Sequence, residues 1–474
     1  MIDKIAFRTS RFNRTNRMKS YLPLLALAAL TMLAGCAAGP TASMEPRPSS
    51  LATGANQVSS EGAAAPHRNE PGAFEIADDA TLDDLLRYAA EHSPAMRTAF
   101  EEWRAAVERE PQARALPDPQ LSYGYFVERM ETRQTVSLSQ MFPAFGRRGL
   151  RGEMAERAAE AAEQRFEAAR LAVFSRVKTA YSEWAYIEEA IEVLREVRVL
   201  VKEFEEVALA RFRSGEVGSA DALRVEMEGE RIADDLRTME EMLQPAKAAL
   251  NASLGRPGGA PLPAPRLEEF PALDQAAEKD LEVWLAANPD LRAREREIAR
   301  AEAGIELARR ESWPDVMVGV EYMDNIGMAP DETMVMVGIN LPIWRENYAA
   351  ARREARAERN ASVARRENLE RELEADLRMA LFRVRDAERK IRLYHRSLQP
   401  LARQTYDSLI GAYRAGDTDF IDLIDAQRTV LDVELSGRRA VADHIQRVAE
   451  LERLTGGGIH GDNGRTRPLE GAPR

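Results

Sequence analysis

Cysteine is nearly absent: Cys36 is the only one in the 474 residues, so no internal disulfide can staple the fold. Histidine is scarce too. His67, His92, His395, His444 and His460 are scattered, without the spacing that zinc ligands need. No serine elbow, phosphate-binding loop or paired-carboxylate motif stands out, so neither an enzyme nor a resident cofactor or metal is expected. After residue 35 no stretch holds eighteen apolar residues in a row, which leaves no membrane-spanning helix in the body of the chain. Positive charge is not in excess, and a formal net charge of −12 argues against a nucleic-acid partner. If this chain enters a membrane, it must do so as strands.

What is present begins at the N-terminus. Arg11, Arg14, Arg17 and Lys19 precede an apolar run from Tyr21 to Leu33, which ends in Leu33-Ala34-Gly35-Cys36. A basic n-region, a short apolar h-region and small residues before a cleavage point make a secretory signal. The end of that signal resembles the bacterial lipobox, which implies that Cys36 is acylated and becomes the first mature residue. An ordinary signal with an incidental cysteine is the plainer alternative. Ala37, where an Asp would imply retention at the inner membrane, favours the outer one by the same resemblance. Translation can start at Met1 or at Met18, since Met18-Lys19 opens a signal of ordinary length. Residues 1–35 therefore read as a lipoprotein signal. The Pro-, Ser-, Gly- and Ala-rich stretch 36–79 reads as a flexible tether.

The body has 45% hydrophobic and 30% charged residues. Ala, Glu, Arg and Leu dominate it, the profile of long helices and coiled coils. It also repeats itself. His92-Ser93-Pro94-Ala95-Met96-Arg97 is echoed by Ala287-Asn288-Pro289-Asp290-Leu291-Arg292, about 195 residues on, and Pro119 falls loosely on Pro314 at the same offset. Arg211-Phe212-Arg213-Ser214-Gly215 is echoed by Ala412-Tyr413-Arg414-Ala415-Gly416 at an offset of about 201, and Asp221 then falls on Asp422. A tandem duplication follows, with repeats over 80–255 and 275–455, a Pro/Gly-rich linker over 256–274 and a disordered tail over 456–474.

Each repeat has one grammar. A helical stretch opens it (82–114, broken near Pro111, and 275–311). Two strands follow, about 119–127 and 135–141 in the first repeat, about 315–323 and 333–341 in the second. The signal is strict alternation, as in Val316, Val318, Val320 and Tyr322 against Met317, Gly319 and Glu321. Long helices close each repeat. Ile187, Ala190, Leu194, Val197, Val201, Phe204 and Ala208 form a heptad seam in the first, and Leu377, Ala380, Val384, Ala387, Ile391, Tyr394, Leu398 and Leu401 form one in the second. A helix of about 67 residues from Arg147 would be roughly 100 Å long, with return helices over 219–254 and 420–454. Pro400 should kink its helix, because it removes an amide donor and crowds the preceding turn.

Strands of about nine residues suit a tilted bilayer crossing. Four strands cannot close alone, and lipid does not tolerate open sheet edges, so several chains must complete a barrel: two would give a filled barrel, three a barrel with a lumen. At this point the chain resembles the TolC family of outer-membrane efflux proteins over nearly all of 80–455. The most specific residues are Gln140-Met141-Phe142-Pro143-Ala144-Phe145-Gly146-Arg147-Arg148, similar to the strand-to-helix corner of members serving heavy-metal resistance pumps, and Tyr413-Arg414-Ala415-Gly416 followed by Asp422-Leu423-Ile424-Asp425-Ala426, similar to the periplasmic tip of the inner helix pair. The resemblance implies a mainly α fold with a membrane β-barrel: long coiled-coil-like helices in two tandem repeats, each giving two strands. It further implies a homotrimer with a twelve-stranded barrel and a twelve-helix periplasmic tube. Its implied partners are outer-membrane lipid, a periplasmic adaptor and an inner-membrane RND-type pump. The implied function is passive conduction of heavy-metal ions or drugs to the exterior, without catalytic residues. A type I protein-secretion duct of the same fold and a structural periplasmic coiled-coil lipoprotein are the alternatives.

By the same resemblance, Tyr413, Asp422 and Asp425 mark a periplasmic gate. Asp422 and Asp425 share a helical face, and in a trimer six crowded carboxylates would repel one another. The rival explanation is charge at a helix start, where Asp417, Asp419 and Asp422 suit the dipole. Thr418 stands where some members have a latching Arg. The tip turns with Arg213, Gly215, Arg414 and Gly416 would face the adaptor, although glycine also simply stops helices. Met317, Met323, Met328, Met334 and Met336 cluster in the second strand pair. Thioethers can bind soft Cu(I) or Ag(I), but filling irregular space is the commoner reason for Met, and no metal site is assigned.

Overall fold

A computed structural model describes residues 76–77, 79–127, 132–215, 218–266, 281–326, 330–415 and 418–457, all within one unit that begins at Asn69. The signal, the tether as far as residue 75, Cys36, Met328, Gly416 and the segment from 458 onward lie outside the described residues.

The first repeat opens with α1 (Leu82–His92), α2 (Pro94–Val107) and α3 (Arg109–Arg114). Thr81 caps α1 through a reciprocal box with Asp84, and Pro94 starts α2 at a position where its missing amide costs nothing. The break expected near Pro111 falls instead at Glu108. Pro111 thus sits in the first turn of α3, where it displaces no helical hydrogen bond. Strands β1 (Gln120–Tyr125) and β2 (Thr132–Phe142) follow, then α4 (Arg147–Ser214) and α5 (Ser219–Leu254). The second repeat runs α6 (Leu281–Ala287), α7 (Pro289–Arg310), β3 (Val316–Asn325), β4 (Glu332–Ile339), α8 (Arg345–Leu393), a π-helical turn (Tyr394–Leu398), α9 (Gln399–Ala415) and α10 (Phe420–Leu454). The break between α6 and α7 repeats that between α1 and α2: Asn288 caps α7 by accepting the Leu291 amide at 3.1 Å, with Pro289 at the first position.

Helix α4 is unbroken for 68 residues, about 100 Å at 1.5 Å per residue. It packs on α2, α5, α7 and α10, so it carries contacts of both repeats. Its seam is buried: Ile187, Ala190, Leu194, Val197, Val201 and Ala208. In the second repeat Leu377, Ala380, Val384 and Ala387 are buried and Ile391, Tyr394 and Leu398 half-buried, but the expected continuation fails at Leu401. Leu401 is 58% exposed and Ala402 is 8% exposed. The π-helical turn supplies the reason, because it accommodates one extra residue and moves the seam on by one. Buried positions confirm this. Val173, Val177, Tyr181, Trp184 and Ile187 match Leu373, Leu377, Leu381, Val384 and Ala387 at a spacing of 200, whereas Val201 matches Ala402 at 201. The strain of Pro400 is taken up by that widened turn just before it, rather than by a kink within regular helix.

The strands make one antiparallel sheet in the order β1-β2-β3-β4. The central pairing, β2 with β3, joins the two repeats in register from Gln134 and Asp324 to Phe142 and Val316. β1 and β4 are left at the two edges. Strand β4 stops at Ile339, short of Leu341, where the Asn340 side chain instead accepts the Asp315 amide.

Candidate functional site

The sheet has two chemically distinct faces. Cross-strand rows on one face read Leu121-Leu138-Val320-Val335 and Tyr123-Val136-Tyr322-Thr333. This face is open to its surroundings: Leu121 is 73% exposed and Val337 is 71% exposed. Rows on the other face read Gln120-Ser139-Gly319-Met336 and Ser122-Ser137-Glu321-Met334. An apolar face backed by one of small, polar and methionine residues approaches the alternation of a strand set in lipid. Here the methionines have a packing role. The Met317 methyl lies 3.1 Å from where a Cβ on Gly338 would stand, and the Met336 methyl 3.6 Å from the same point on Gly319. Met317 and Met336 thus fill space left by the glycines beside them. Among the described residues, no cluster of three His, Cys, Asp or Glu side chains could hold a metal ion.

Below the sheet, the motif at 140–148 forms a corner whose key partner the sequence did not disclose. Arg147 is buried and its guanidinium is fully used. Nη1 donates to both Asp315 carboxylate oxygens at 2.7 and 3.0 Å, Nη2 to the Glu311 and Trp313 carbonyls, and Nε to the Arg310 carbonyl. Asp315 also accepts the Ala144 amide at 2.7 Å. A largely buried charge pair with the guanidinium's hydrogen bonds all made resists opening, since removing Asp315 would strand the buried Arg147. Gly146 permits the turn at φ 84° and leaves room for Arg310, which donates to the Phe145 carbonyl. Strand β2 is thereby fixed to the base of strand β3.

At the other end, the two helical hairpins meet. Ala208, Val225, Phe420, Leu423 and Ile424 form a small buried core, with Phe204 and Tyr413 packed against it. Tyr413 packs against Phe420 with ring centroids 5.3 Å apart and planes inclined by 56°, and it lies under the Arg211 guanidinium at 4.4 Å, a cation–π contact. Of the expected gate residues, Tyr413 is therefore half-buried in a core, while Asp422 and Asp425 lie on α10 outside it. Thr418 donates its hydroxyl to Asp422 at 2.8 Å, and Asp422 lies in the first turn of its helix. Asp425 is 64% exposed and faces Arg428 at 3.4 Å. Arg428 in turn donates through Nε, at 2.7 Å, to the buried Glu228 of α5. That bond is the first cause raising the Arg428 guanidinium above its ordinary pKa. Arg211, Glu228 and Arg428 are functional candidates that the sequence did not reveal. Glu228 and Arg428 lie in different repeats, and no local pattern announces such a pair. Gly215 ends α4 at φ 80°, and Arg213 is exposed beside it.

The comparisons with known proteins agree with this architecture. The family model described as "Outer membrane efflux protein" matches residues 85–256 and 281–457. The cobalt-zinc-cadmium resistance protein CzcC of Cupriavidus metallidurans is 23% identical over 388 residues, covering 81% of this chain and 91% of that protein. The pyoverdine export outer membrane protein OpmQ of Pseudomonas aeruginosa is 26% identical over 266 residues, 52% of this chain and 53% of that one. Among solved structures, the outer-membrane channel OprN superposes with a TM-score of 0.67 at 20% identity, covering 81% of this chain and 91% of the channel.

Proposed function

Because the chain belongs to the outer membrane efflux protein family, we propose that it is the outer-membrane channel subunit of a tripartite efflux pump. The observation that carries this reading is the sheet: four strands with an exposed apolar face, an opposite face of small, polar and methionine residues, and two open edges. Such a sheet is stable in lipid only when further copies close it into a barrel. Three copies give twelve strands and a lumen, and the hairpins built on α4 and α8 continue the wall into the periplasm. There they meet an adaptor through the turns at Arg213, Gly215, Arg414 and Gly416, and through it an inner-membrane RND-type pump. Conduction is passive, and the cargo class is heavy-metal ions or drugs, in keeping with the name of the cobalt-zinc-cadmium resistance relative.

Three finer assignments belong to this reading. Residues 1–35 are a lipoprotein signal, and Cys36 carries the acyl anchor, followed by a tether to residue 79. Mass spectrometry of the mature N-terminus tests this, and an unmodified Cys36 would reject the anchor alone. Tyr413, Asp422 and Asp425 form the periplasmic gate, with Arg428 partly offsetting the charge of Asp425. Reconstituted in a planar bilayer, the protein should form cation-preferring channels that multivalent cations block from the periplasmic side. Asp422→Ala/Asp425→Ala channels should lose that block. The absence of any conductance from inserted protein would overturn the channel reading.

A further inference from the structure

We infer that the exposed flank of α2 is the seat for α8 of a second copy of this chain, and that Glu102 of one copy pairs there with Arg365 of the next. The inference rests on the channel reading, and it comes from applying the internal repeat to a contact seen within the chain. Helix α7 lies between two long helices, α8 of its own repeat and α4 of the other. Across the second of these contacts, Arg165 of α4 forms an ion pair with Glu297 of α7.

The repeat carries both partners onto identical residues. At the spacing of 195 that sets Pro94 on Pro289 and buried Met96 on buried Leu291, Glu297 falls on Glu102. At the spacing of 200 that aligns the buried faces of α4 and α8, Arg165 falls on Arg365. Helix α2 packs on α4 of its own repeat, but the flank corresponding to the α4-covered side of α7 is bare. There Arg97, Thr98, Glu101, Glu102 and Ala105 are all exposed and line a shallow groove. Arg365 is exposed on α8 too, as are Arg353 and Arg356 on the turns nearer the sheet.

The same chain cannot supply both sides. The operation that carries α4 on α7 into α8 on α2 also carries the β2–β3 pairing into β4–β1, and β1 and β4 stand at opposite ends of the sheet. The occupant is therefore another copy, seated head to tail, and such a heterologous contact generates a closed ring when its rotation allows. Acidic Glu101 and Glu102 facing an arginine-rich helix make the match electrostatic as well as geometric.

The test uses the full chain in outer membranes. Glu102→Cys/Arg365→Cys is treated with a short flexible bismaleimide and run under denaturing conditions. Covalent dimers and trimers, absent from either single variant, are expected. Arg165→Cys/Glu297→Cys, treated alike, should link within one chain and stay at monomer mass, which calibrates the reach. Trimers by native mass spectrometry with no covalent ladder would overturn this seam and leave the channel reading standing. A monomer would overturn both. Charge reversal gives the second arm: Glu102→Arg should reduce trimer survival in detergent, and Glu102→Arg/Arg365→Glu should restore it. Reduction without restoration would reject the pairing.

Discussion

The two long hairpins descend from one repeat yet solve the same packing problem differently. In the first repeat, α4 runs without interruption and its heptad seam stays buried to Ala208. In the second, the equivalent helix is broken into α8, a π-helical turn and α9, and Leu401 gives up its place in the seam to Ala402. An extra residue in a regular α-helix would swing everything beyond it by about 100°. Confining that residue to one widened turn leaves the tip in phase with the first repeat. Repeated architecture thus tolerates an insertion where a local defect absorbs it.

Removing one residue from each helix should affect the two repeats very differently. Deleting exposed Glu196 from α4 should rotate Val197, Val201 and Ala208 out of their core and abolish the assembled tip, read as loss of stable oligomer and of protease resistance. Next in size is a matched pair of core truncations. Trp184→Ala should cost ~3–5 kcal/mol, and Val384→Ala at the equivalent position less, since fewer buried atoms are lost; thermal scans of helical circular dichroism would rank the two. Third, Arg428→Ala strands the buried Glu228 carboxylate and should cost about 1–3 kcal/mol, seen as faster hydrogen exchange confined to the tip. Glu228→Gln/Arg428→Ala should recover part of that loss, because no charge is then left buried. Smallest of all should be deletion of Arg396 in the π-helical turn, which only returns the second repeat to the continuous geometry of the first. A Tm as badly lowered as that of the Glu196 deletion would refute the insertion account.

These contrasts also mark what could be read from the residues alone. Alternation in Val316–Tyr322 is enough to mark a strand, because a period of two needs no knowledge of its partners. The seam through Leu194 and Leu377 was legible for the same reason, at the helical period. Leu401 was misplaced because a π-helical turn leaves no periodic signature, and Pro400 announced a disturbance without its form. At the two ends of the helices, the family resemblance singled out Arg147, Tyr413 and Asp422, but it named neither the carboxylate that holds Arg147 nor the Glu228–Arg428 pair. Asp315 stands 168 residues from Arg147, and Glu228 stands 200 residues from Arg428. Only three-dimensional proximity reveals such pairs.

The open edges of the sheet carry a consequence for biogenesis. Along β1 and β4 a lone chain displays rows of unsatisfied amides and carbonyls beside an exposed apolar face, the combination that templates indiscriminate strand addition. On the channel reading proposed above, a subunit is at its most hazardous before further copies cover these edges, whereas a closed barrel would offer none. Abundance of the mature protein should then depend on how quickly its edges are covered as much as on how stable each subunit is.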